Sequence, residues 1–255
     1  MIRMNLMKMK KIQNNNIGEN KMANNLVESN IEMIKSYIQD GIGYKESIIE
    51  YAKTLDRNGF IILIENFQQA YDGFIMKVAT GKYPDFKINE HGDEARDIAE
   101  LYTELAKIEG APIDKLAEAV ISTEDIYWMY VFARDIPDAP VVKISDVFIE
   151  MLMDNFYDAG VLAEYMFYFA KDVSGAPVES LAMAVLKSDD VFTDSDACGY
   201  LNEFSYLVDE PFATILKARY EQAKDYHGDN VDEIDQEDEE FADFGYFYGD
   251  DMENY

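Results

Sequence analysis

One cysteine, Cys198, is all the chain has. A lone thiol excludes an intramolecular disulfide framework and any multi-cysteine metal site, and it suits a reducing compartment. Cys198 stands in DSDACGYL with no histidine beside it to act as a base, so it reads as a small core residue and not as a nucleophile. Six prolines and 14 glycines are few for 255 residues. Many-stranded sheets need regular turn punctuation, which this chain lacks. No stretch approaches the roughly 20 apolar residues of a membrane-spanning helix. The first segment, MIRMNLMKMKKIQNNNIGENKM, has no apolar core of the signal-peptide kind, and the expected location is the cytoplasm.

The usual catalytic signatures are missing too. There is no phosphate-binding glycine loop, no dinucleotide fingerprint, no zinc-type His-Glu-x-x-His and no nucleophile elbow. The two histidines are His91, in NEHGDE, and His227. Both read as loop or helix-end residues, because a metal site needs several ligands at fixed geometry. The run DNVDEIDQEDEE lacks the central glycine and ligand spacing of a calcium loop. No catalytic, cofactor-binding or metal-binding residue is assigned, no cofactor is expected, and the chain reads as a non-enzyme.

Basic residues are scarce as well. The formal charge is −29, from 51 Asp and Glu against 22 Lys and Arg. Residues 1–22 hold 5 Lys/Arg and 1 Asp/Glu, residues 23–224 hold 17 and 37, and residues 225–255 hold 13 acids and no Lys or Arg. The excess therefore belongs to the body as well as the tail. It argues against direct nucleic-acid binding, which relies on cations to displace counterions from phosphates. It argues equally against anionic membranes. The natural complement is a basic protein surface, such as that of a nucleic-acid-binding protein.

What is present is helical. Hydrophobic content is 48% and aromatic content 13%, too high for wholesale disorder. Three segments share a pattern: Leu105–Asp125, Phe132–Phe148 and Phe169–Asp190. Each opens on a bulky apolar residue, Ala and a cation, then runs through a short link to Ala-Pro and a second apolar-periodic run. APIDKLAEAVISTED and APVESLAMAVLKSDD agree at 7 of 15 positions. Lys107, Arg134 and Lys171 suit the last turn of a helix, where a cation meets the negative end of the dipole. Gly110 and Gly175 can take the left-handed conformation that ends a helix. Pro112, Pro140 and Pro177 suit the start of the next one. Leu116, Ala119 and Val120, and likewise Leu181, Ala184 and Val185, share one helical face. Small Ala106, Ala133 and Ala170 allow close approach at the bends. Ser122 with Asp125 reads as a box opening the following helix.

The predicted fold is all-α: helical hairpins stacked into a short solenoid-like repeat domain, because one hairpin cannot bury both faces alone. The pattern resembles a short helical-hairpin repeat of uncharacterised bacterial and phage proteins, with the core Phe-Ala-Lys/Arg-Asp-Val/Ile-x-Gly-Ala-Pro-x-x-x-Leu-x-x-Ala-Val. The resemblance covers about half the chain. It implies a stacked helical fold and brings no catalytic residues. The middle segment departs from it, with Pro137-Asp138 for the glycine link and Lys143-Ile144-Ser145 for the Leu-Ala core, and is expected to be irregular. Glu50–Phe60 reads as a degenerate earlier repeat, and Tyr200–Tyr226, around Pro211, as a divergent closing one.

The expected organisation is a disordered basic segment (1–22), an N-terminal helical subdomain (23–92), the repeat domain (93–226) and an acidic-aromatic tail (227–255). Phe60–Ala79 is the most apolar stretch and reads as one or two buried helices. Tyr127, Trp128, Tyr130, Phe132, Tyr165, Phe167, Tyr168 and Phe169 read mainly as core. In the tail, acids repel and keep the chain extended while aromatics can anchor in a partner's groove. The candidate partner-binding residues are Asp232, Glu233, Asp235, Glu237, Asp238, Glu239, Glu240, Phe241 and Phe244.

Three function classes follow. The first is a non-enzymatic acidic protein that docks on a basic, nucleic-acid-binding surface, as a phage-type inhibitor of a host nuclease or defence complex would by charge mimicry. The second is a helical-repeat scaffold or adaptor holding a protein partner. The third is an enzyme of unrecognised type.

Overall fold

The computed structural model describes residues 45–79, 93–154, 157–195 and 197–228. The expected 1–22 segment, His91 and all nine candidate partner-binding residues lie outside them. Among the described residues every regular element is a helix, so the chain is all-α as predicted. The chain divides into two compact units between Pro140 and Val141, inside the span read as one repeat domain.

The first unit holds α1 (Lys45–Ala52), α2 (Arg57–Ala79), α3 (Asp93–Ala106), α4 (Ile113–Thr123) and α5 (Ile126–Asp135). Phe60–Ala79 falls within the single long helix α2. Helices α3, α4 and α5 pack against one another, α2 packs on α4, and α1 on α3. Phe60, Leu63, Ile64 and Phe67 of α2 are buried, with Phe67 edge-on to Tyr102 at 6.5 Å between ring centroids. Lys45 reaches across to Glu100.

The second unit holds α6 (Val141–Met153), α7 (Ala159–Asp172), α8 (Val178–Lys187), the short α9 (Asp189–Thr193), α10 (Gly199–Ser205) and α11 (Phe212–His227). Helix α7 is central: it touches α6, α8, α9 and α10, while α11 lies on α9 and α10. Phe148 and Phe169 meet edge to face at 5.3 Å, both fully buried. Cys198 is buried, its thiol 3.2 Å from the Ser195 carbonyl oxygen.

The repeat is visible in backbone geometry. Gly110 and Gly175 are left-handed, with φ of 79° and 82°. Each is followed by an alanine whose N–H donates three residues back: Ala111 to the Ile108 carbonyl and Ala176 to the Val173 carbonyl. Pro112 and Pro177 then stand immediately before α4 and α8 with nearly equal torsions.

The middle segment corrects the expectation of irregularity. Asp138 takes the glycine's place at φ 61°, and Ala139 N–H donates to the Ile136 carbonyl. Asp is one of the few side chains that tolerates this region. In the helices that follow, Leu116, Ile144 and Leu181 occupy one buried position, and Val120, Phe148 and Val185 another. Ser145 occupies the buried alanine position and satisfies its hydroxyl by donating to the Val142 carbonyl at 2.7 Å. A polar atom in a core is tolerated when its hydrogen bond is local.

Smaller differences have equally local causes. Arg134 and Lys171 lie in the last turns of α5 and α7, whereas Lys107 falls one residue past α3. Ser122 does not open α5: its hydroxyl turns back to the Ala119 carbonyl, and Asp125 itself caps, accepting from Trp128 N–H at 2.8 Å. Asp158 caps α7 in the same way. The closing pair α10–α11 turns through a cis Glu210-Pro211 bond with no left-handed residue, and α1–α2 likewise lacks the glycine-type link.

Candidate functional site

The second unit carries a solvent-open depression on its surface. An open trough of about 810 Å³ runs between α6, α8 and the start of α11. Ile149 and Met153 enter it from α6, and Met183 and Ala184 from α8. Pro211, Phe212 and Ile215 close the third side. Three of these large apolar side chains face solvent: Met153 is 45% exposed, Met183 37% and Ile215 50%. Glu179, Asp209 and Glu210 stand at the edge with one ammonium, Lys187. Glu210 is anchored, because Thr214 donates to its Oε2 through both Oγ1 (2.6 Å) and the backbone N–H (3.3 Å).

Comparison of the three repeats shows how the trough arises. The first repeat carries Lys115 and Glu118 on the outer face of α4, joined at 2.9 Å. The second carries Lys143 and Asp146 at the same places. The third has Ser180 and Met183 instead. A solvent-facing charge pair has been replaced by a polar–apolar pair, at the wall of the trough. Sequence reasoning aligned these stretches on their shared residues and overlooked this informative mismatch.

A second cluster joins α7 to α10. The Phe167 ring lies 5.7 to 6.0 Å from those of Tyr168, Tyr200 and Phe204. Burial pushes the Tyr200 phenol far up, helped by the charges of Glu164, Tyr168, Glu203 and Tyr165. Burial also raises the Glu164 carboxyl above the ordinary glutamate value. None of these groups lines the trough. Of the aromatics read mainly as core, Phe132, Phe169 and Tyr130 are buried, while Tyr127, Trp128, Tyr165, Phe167 and Tyr168 are only half-buried.

The raised Glu164 value gives a signed pH dependence. The folded state holds this proton more tightly than the unfolded chain, whose glutamate titrates near 4.5. Its contribution to stability is therefore complete below that pH and is lost as pH rises through the folded value. In Glu164→Gln that loss is absent. Urea midpoints measured from pH 4 to 7 are expected to show the variant gaining on the parent as pH rises; parallel curves would remove the assignment.

Among the described residues no three His, Cys, Asp or Glu side chains converge as a metal site. His227 instead lies with Nε2 3.0 Å from the Phe192 carbonyl oxygen. No described helix is long and apolar enough to cross a membrane. Compared with protein-family models, with curated proteins and with solved structures, the chain gives no match.

Proposed function

We propose that this chain is a non-enzymatic binding protein whose acidic surface docks on a basic surface of a partner protein. The observation that carries the reading is the charge of the folded units themselves. Residues 45–79 and 93–140 hold 17 Asp and Glu against 8 Lys and Arg; the described residues from 141 to 228 hold 15 against 6. Even with every cation paired, more than half of the carboxylates would lack one. Several cations are in fact held by close neighbours, as in Lys53–Glu50, Lys107–Glu104 and Arg134–Asp135. Exposed pairs of this kind add little stability, and the surplus acid is the electrostatic complement of a basic surface.

A finer form of the reading is charge mimicry. Duplex DNA carries one charge per roughly 1.7 Å of axis, a field that rows of Asp and Glu on helices can approximate. The partner would then be a nucleic-acid-binding protein, and a phage-type inhibitor of a host nuclease or defence complex is one such case. Affinity capture at low salt, followed by a salt series on the eluted partner, tests both forms. Affinity is expected to fall roughly tenfold or more between about 50 and 300 mM salt as the Debye length shrinks. Duplex DNA is expected to compete for the same partner. An affinity that holds through the salt series would favour an adaptor that binds by apolar contact instead.

A further inference from the structure

We infer that the trough between α6, α8 and α11 seats one amphipathic helix of a partner protein. Its apolar side would rest on Met153, Met183 and Ile215, and its Lys or Arg flanks on Glu179, Asp209 and Glu210. This rests on the acidic-docking reading above and narrows it to one place and one shape of ligand.

Three observations converge on it. The first is the internal comparison. Two repeats keep a charged pair on the outer helix face, and only the third replaces that pair with Ser180 and Met183. The change leaves the buried positions Leu181, Ala184 and Val185 equivalent to those of the first repeat, so folding does not require it. The second is composition. Exposed methionine and isoleucine form a floor that is adaptable, since methionine repacks readily around differing partners. The edge carries three carboxylates and one ammonium. An apolar strip between carboxylates is the complement of a helix with apolar residues on one side and cations beside them. The third is shape. The volume falls within the roughly 300–1,000 Å³ range of small-ligand sites, but the floor is open to solvent and walled by helices. Among the described residues there is no strand edge on which an extended peptide could pair.

The probe is a labelled 16-residue peptide with leucines at helical spacing and lysines flanking them, beside a scrambled peptide of identical composition. Fluorescence anisotropy against the full chain is expected to show the patterned peptide binding roughly tenfold or more tightly than the scrambled one. The variant M183E/I215E adds two negative charges yet is expected to weaken the patterned peptide by roughly tenfold or more. Met153→Glu, on a different helix, is expected to act in the same direction. All three side chains are exposed, and unchanged urea midpoints verify that the variants fold.

Equal binding of both peptides, or unchanged or tighter binding to M183E/I215E, overturns the groove and leaves charge-driven docking standing. Binding of neither peptide counts against both. Two further outcomes also overturn it. One is that the patterned peptide binds only after removal of residues 1–22, which makes the chain's own basic terminus the occupant. The other is self-association of the full chain that M183E/I215E abolishes, which makes the occupant a second copy.

Discussion

Truncating Phe169 to alanine is expected to cost the second unit about 3–5 kcal/mol, the range for a fully buried ring whose cavity cannot collapse. Phe169 shows no exposed surface and meets Phe148 edge to face. It also lies on α7, the helix that α6, α8, α9 and α10 all touch, so neighbours on several sides hold the cavity open. Part of the loss is the aromatic pair itself, worth about 0.5–1.5 kcal/mol beyond buried area. Urea denaturation followed by far-UV circular dichroism measures the effect. Met183→Ala, an exposed truncation on α8, serves as the comparison and is expected to stay within about 0.5 kcal/mol of the parent. If Phe169→Ala cost no more than Met183→Ala, the described core would be wrong.

The second large effect lies in the links. Gly175→Ala is expected to cost about 1–2 kcal/mol, the penalty for placing a Cβ in the left-handed region. The test is clean because a Cβ at Gly110 or Gly175 would meet no atom within 4 Å apart from its immediate chain neighbours; only the backbone conformation, at φ 79° and 82°, opposes it. Asp138, at φ 61° in the equivalent turn, supplies the internal control. At Gly175 the order of stability is expected to be Gly, then Asp, then Ala, because Asp tolerates this region better than Ala does. Denaturation midpoints that place Ala level with Gly would show that the links are not held in this geometry.

The same link shows how far one sequence can be read. Gly110, Gly175 and the three Ala-Pro steps announced their turns, since glycine and proline state their conformational preferences locally. Asp138 did not, because Asp is common in many settings and only occasionally left-handed. Ile144 and Ser145 depart from the Leu-Ala core in identity, yet both are buried in register with the other repeats. Hydrophobic spacing survives such exchanges; residue identity does not. Ser122 and Asp125 are equivalent as oxygen-bearing residues near a helix boundary, and only where the first helix ends separates the capping Asp125 from Ser122, whose hydroxyl turns back.

By itself the sequence determined the helical class, the three links that end at Ala-Pro and the inward faces of the helices that follow them. Those depend on contacts within a few residues and on a period of 3.6, both of which are written along the chain. The acidic balance was equally open to counting. The trough was decided only by tertiary structure. Ile149, Met183 and Ile215 are far apart in sequence and look like ordinary helical residues; they become one surface because α6, α8 and α11 are brought together by the burial of their other faces. Which apolar side chain is left outside depends on where the neighbouring helices stop covering it, and no local pattern encodes that.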